Sequence, residues 1–204
     1  MAIVAAGCGG QAPAETSAPA ESSAGPTESA AEGAHVVRGK APTATGLPSI
    51  VVLEPRGARE FPPPPEPPAL DQVALTFLPN VLFVRTGQPA EFWNSDEVLH
   101  NVRLMNRTTK EGEFNVSVPT AGVYRHTFKN VGVYDVSCDV HPTMMSTLVV
   151  SDGPYALVAE PDGRFVFEDV DPGSYTATVY VGTRTVQKPI EVTGPRTDVV
   201  FDPS

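Results

Sequence analysis

From residue 71 to its end the chain is cut into short runs that alternate apolar and polar residues, and no long stretch carries a helical period. Thr86-Gly87, Ala121-Gly122, Asn130-Val131-Gly132, Pro161-Asp162-Gly163, Asp171-Pro172-Gly173 and Thr193-Gly194 supply turns between them. Runs of this length cannot make long helices. They make strands, and two packed sheets let each strand bury one face. Strands are expected at 73–77, 81–85, 89–94, 100–105, 113–118, 123–128, 132–138, 146–151, 155–159, 164–168, 174–181, 185–192 and 197–201. Ile50-Val51-Val52-Leu53 is a further, earlier candidate. The expected class is all-β.

The first part of the chain reads differently. Residues 9 to about 45 are Ala, Glu, Ser, Thr, Pro and Gly with almost nothing to bury, a composition that favours a disordered, weakly acidic stalk. Before it, Met1-Ala2-Ile3-Val4-Ala5-Ala6-Gly7-Cys8 resembles the end of a bacterial lipoprotein signal, although the basic start of a secretory signal is missing and the apolar run is short. The resemblance implies lipid on the sulfur of Cys8 and a periplasmic or extracytoplasmic place beside a membrane. Phe61 to Pro68 holds six prolines and must run as extended polyproline, a stiff loop between strands. The expected organisation is a start and stalk at 1–45, a first sandwich at 46–152 and a second at 153–204. No run of 18 apolar residues exists to span a membrane as a helix. The net charge of −10 is spread along the chain without a basic patch, which excludes nucleic acid as the expected partner.

The chemistry concentrates in Ser137-Cys138-Asp139-Val140-His141-Pro142-Thr143-Met144-Met145, directly after a run that places Tyr134, Val136 and Cys138 on one face. A second histidine, His100, lies far upstream. A thiolate and two imidazoles in a plane, with a weak thioether on the axis, suit copper that must be held in two oxidation states. Zinc is the rival. A structural zinc wants four strong ligands and often paired cysteines, whereas this stretch has one thiol and a methionine for which zinc has no use. Each residue alone has a plainer reading, the cysteine as a small hydrophobe and the histidine as structural; together and in this order they read as a copper set. His126, on an alternating strand with Tyr124 and Phe128, reads as packing or sheet edge. His35 falls in the stalk and is assigned no role. Trp93 reads as core.

Cys138-x-x-His141-Pro142-x-Met144, followed by a β-branched strand, resembles the ligand loop of amicyanin and related plastocyanin-like proteins, the cupredoxins. Trp93-Asn94 and His100-Asn101-Val102 resemble the other ligand strand of that family. The resemblance covers about residues 70–151. It implies a Greek-key sandwich holding one type 1 (blue) copper, with His100, Cys138 and His141 as equatorial ligands and Met144 as the weak axial one. It further implies Asn101 and Asn94 as supporting residues that tie the ligand segments together. The edge of His141 would be the electron exit, with Pro142 and Met145 on its rim.

The run Asp162 to Tyr175 resembles the small transthyretin-like sandwich found beside carboxypeptidases, and it carries no catalytic set. The expected function is a one-electron carrier in the bacterial cell envelope. Its partners would be redox proteins of cytochrome or oxidoreductase type, with contact to a membrane only through the anchor. It is not expected to be an enzyme, because the additional His-x-His ligands of multicopper catalysts are missing. The alternatives are a copper-handling or delivery protein, or a structural envelope module with a vestigial site.

Overall fold

The structure is a computed structural model that describes residues 35–201 except Pro63. Cys8 and the lipoprotein-like start lie outside the described residues. Sixteen strands and no helix are found among those described. They are β1 (Val36–Lys40), β2 (Ser49–Pro55), β3 (Ala69–Val73), β4 (Thr76–Leu78), β5 (Val81–Arg85), β6 (Pro89–Asn94), β7 (His100–Asn106) and β8 (Gly112–Val118), then β9 (Val123–Thr127), β10 (Gly132–Ser137), β11 (Met145–Ser151), β12 (Ala156–Val158), β13 (Arg164–Phe167), β14 (Gly173–Val181), β15 (Arg184–Val192) and β16 (Arg196–Val200).

The strands form two sandwiches, and one is inserted into the other. Strands β3 to β11 make the inserted sandwich, with sheets ordered β5-β11-β10-β7-β8 and β4-β3-β6-β9. The host has sheets ordered β13-β1-β16 and β12-β2-β14-β15, so it takes two strands from before the insertion and five from after it. This corrects the boundaries expected from sequence. Residues 36–40 do not belong to a stalk: β1 is the central strand of a host sheet, antiparallel to β13 and parallel to β16. Nor does β2 start the inserted sandwich, since it pairs with β12 and β14. The physical reason is that β1 and β2 find their partners more than 100 residues downstream, and composition in a local window is blind to such pairing.

Alternation explains the cores. In β10, Tyr134 and Val136 point into the inserted core, together with Cys138 just beyond the strand. Its other face turns Val133 outward, beside Val149 of β11. In β2, Val51 and Leu53 enter the host core while Ile50 and Val52 face Val133 and Val149. The unbroken run Ile50-Val51-Val52-Leu53 is therefore a strand buried on both faces, and the two sandwiches share a small apolar layer there. Phe61 to Pro68 crosses between β2 and β3. It is flanked by Arg59, which donates to Tyr175 Oη and to the Pro172 carbonyl, each at 2.7 Å.

Strand β6 corrects a second expectation. Ala90, Phe92 and Asn94 point inward, so Trp93 points out, 42% exposed, with its indole N–H donating to Glu91. The parity of the strand decides this over the general preference of tryptophan for the core. The expected strand at 73–77 is broken by a turn at Ala74-Leu75.

Candidate metal centre

His100 opens β7 with its ring fully buried. Cys138 follows β10 and is 2% exposed. The loop from 138 to 144 is closed by two backbone hydrogen bonds, Met144 N–H to His141 O at 2.9 Å and Cys138 N–H to Met144 O at 3.3 Å. This brings His141 back over Cys138 and sets the Met144 backbone against it. The Met144 side chain is fully buried in the inserted core, while Met145 is 65% exposed.

Three donor atoms converge. The two Nδ1 atoms of His100 and His141 are 3.0 Å apart, and Cys138 Sγ stands 3.8 Å from the first and 3.9 Å from the second. A triangle with these edges has its centre about 2.1 Å from every corner, inside the range of roughly 2.0–2.3 Å for nitrogen and sulfur bonds to a small divalent metal. The donor set and its spacing thus fit a single ion in a trigonal plane. These three residues form the one such cluster found among the described residues.

The surroundings fix the donors. Asn101 Oδ1 accepts the Asp139 backbone N–H at 2.7 Å and the Cys138 thiol at 3.3 Å, so it joins the segment that carries His100 to the segment that carries Cys138. Its amide group donates to Asn115 at 2.7 Å and to Asp139 Oδ2 at 3.1 Å. Asn115 and Arg103 also bond Asp139. The Asn115 amide, and then Arg103, hold the Asp139 carboxyl below its ordinary pKa. Asn94 is buried and donates to the carbonyls of Val98 and Val118, each at 2.8 Å, while its oxygen accepts the Asp96 N–H. It shapes the loop that leads into His100. On the far side of that ring, Nε2 meets Asp96 Oδ2 at 2.8 Å. Asp96 sits below its ordinary pKa chiefly through the Leu75 amide. A carboxylate behind a metal-facing histidine sets its tautomer, Nε2 protonated and Nδ1 free.

The sequence reading missed Asp96, Asn115 and Asp139. Asp96 lies four residues before His100, but acidic residues in loops are ordinary and only the folded distance singles it out. His126 behaves as read, packed among Phe114 and Phe128 and paired with Glu113 at 2.8 Å. His35 is not idle: its Nδ1 lies 2.7 Å from the Gly194 carbonyl, tying the residue before β1 to the turn between β15 and β16. Pro142 is exposed, as are Val98, Leu99 and Val140 on the two segments that carry the histidines.

Residues 69–151 match the family model of copper binding proteins, plastocyanin/azurin family. This segment is a cupredoxin domain. Its cofactor is copper, and the His-Cys-His cluster lies within it. Similar solved structures include a copper-containing nitrite reductase from Thermus scotoductus SA-01, at 24% identity and TM-score 0.40 over 49% of this chain and 26% of that one. A purple cupredoxin from Nitrosopumilus maritimus matches at 23% identity and TM-score 0.36, over 41% of this chain and 98% of its own. Amicyanin from Paracoccus versutus matches at 20% identity and TM-score 0.38, over 43% and 84% respectively. The chain spans about a quarter of the length of the nitrite reductase. Among curated proteins no sequence matches the chain.

Proposed function

We propose that the cupredoxin domain is a type 1 copper site that carries single electrons, with His100 Nδ1, Cys138 Sγ and His141 Nδ1 as equatorial donors and Met144 as the weak axial one. The carrying observation is the donor triangle, already sized for one ion. Bound copper supplies a change of one electron between Cu(II) and Cu(I). The protein's part is to keep the donors still while that happens. Cys138 is held through Asn101, His100 through Asp96, and Met144 through its buried side chain, so little has to move. His141 is the partly exposed member of the set and offers the way out, with Pro142 and Met145 on the rim.

Burial of His100, Cys138 and Met144 supports retention of the metal over its delivery, because a donor site for cargo needs access by the acceptor. The reading includes no substrate turnover. Placement in the bacterial envelope, anchoring through Cys8 and redox protein partners belong to the same proposal and rest on the sequence. The test is a visible and electron paramagnetic resonance spectrum after Cu(II) addition, with Cys138→Ser as control. An intense thiolate-to-copper band with narrow hyperfine splitting, lost in the variant, is expected. A folded, copper-loaded but nearly colourless protein would sink the carrier reading.

A further inference from the structure

Ala74 and Leu75 form the two-residue turn between β3 and β4, and both have positive φ, 52° and 57°. Two left-handed residues in succession are the geometry of a tight hairpin whose usual occupants are Asn and Gly. Residues with a larger side chain avoid it. Backbone held this way concentrates where geometry serves a site. Here the two turn amides converge on one carboxylate: Ala74 N–H donates to Asp96 Oδ1 at 2.6 Å, and Leu75 N–H donates to Asp96 Oδ2 at 3.0 Å. Oδ2 is also the atom 2.8 Å from His100 Nε2. The hairpin grips the same loop a second time through Ser95, whose N–H donates to the Gln72 carbonyl at 2.9 Å and whose hydroxyl donates to Asp71 at 2.7 Å.

We propose that the Ala74-Leu75 turn is a positioning element of the metal centre, acting through Asp96 on His100. With both turn amides in place, Asp96 cannot swing away, and its Oδ2 accepts the hydrogen bond from the His100 Nε2–H. The buried ring is then fixed with its Nδ1 lone pair toward Cys138 and His141. Without the turn, Asp96 is free to rotate into solvent and the buried His100 N–H loses its acceptor. The consequence for metal retention rests on the copper reading; the contacts themselves do not.

The test compares three variants with the parent. Asp96→Asn keeps the shape but cannot accept at every position that the carboxylate does. Ala74→Pro/Leu75→Gly keeps a two-residue turn, removes the Ala74 N–H and abandons the left-handed geometry. Ala74→Asn/Leu75→Gly keeps the left-handed turn and both amides. Exchange of the His100 Nε2 proton is followed by nitrogen-15 NMR in the metal-free proteins, with melting curves to confirm folding. Copper release to a chelator is followed in the loaded ones. Asp96→Asn and the Pro-Gly pair are expected to speed proton exchange at least about tenfold and copper release about 10- to 100-fold, with the Asn-Gly pair close to the parent. The proposal is overturned if the Pro-Gly pair stays within twofold of the parent on proton exchange, or if the Asn-Gly pair loses as much as the Pro-Gly pair. A parent that gives no thiolate–copper band removes the copper reading, while proton exchange in the metal-free proteins still decides the clamp.

Discussion

Met144 and Met145 are chain neighbours on opposite sides of the protein surface, and their difference allows a direct test of the ligand loop. Met144→Leu keeps the buried volume and removes the thioether, so folding should lose less than about 1.5 kcal/mol while the reduction potential and the visible band shift. Met144→Ala leaves a cavity and should lose roughly 2–5 kcal/mol in denaturant titration. Met145→Ala should change neither by a measurable amount, and a spectral change there comparable with that of Met144→Leu would move the axial role to Met145. Glu54 offers a second test at this scale. Burial at the layer between the sandwiches raises its carboxyl to about 7 from 4.5, against the opposing hydrogen bond from the Asp152 N–H at 3.0 Å. Between those two values the folded state binds more protons than the unfolded state, so stability should fall as the pH rises from about 4.5 to 7. Glu54→Gln keeps an acceptor for Asp152 and should flatten that slope, gaining roughly 1 kcal/mol over the parent at pH 8 after allowance for solvent screening. Unfolding titrations at pH 5 and pH 8 read both effects.

Strands were legible wherever alternation reports burial. The run that puts Tyr134, Val136 and Cys138 on one face is β10 with its following residue, and all three are core. Parity also corrects the tryptophan. If β6 turns Phe92 in and Trp93 out, Phe92→Ala should lose about 3–5 kcal/mol and Trp93→Ala about 1 kcal/mol or less, read as the difference in unfolding free energy. Equal losses would contradict the parity. The break between β3 and β4 was not legible, because Ala-Leu carries none of the chemistry of a turn. Only the hydrogen bonds to Asp96 show what holds it.

At the scale of the molecule, the insertion gives the cupredoxin domain two connections to its host and a shared apolar layer of Ile50, Val52, Val133 and Val149. Residues 35–201 should therefore unfold in one transition, and Val149→Asp should lower the melting temperature of the whole unit by burying an unpaired charge between the sandwiches. Differential scanning calorimetry would separate this from two independent transitions, the outcome that would count against coupling. A fragment of residues 69–151 alone would expose Val133 and Val149 and should be less stable than the same domain in the full chain.

The sequence by itself determined the all-β class and most strand positions, because alternation is written within a few residues, and it singled out His100, Cys138 and His141, which the fold brings together. Tertiary structure alone decided that β1 and β2 belong to the host sandwich, since strand pairing across more than 100 residues leaves no local trace. It also decided that Asp96 stands behind His100 and that the Ala74-Leu75 turn holds it there. Those contacts join three segments whose distances are set by packing, and packing is a property of the folded chain.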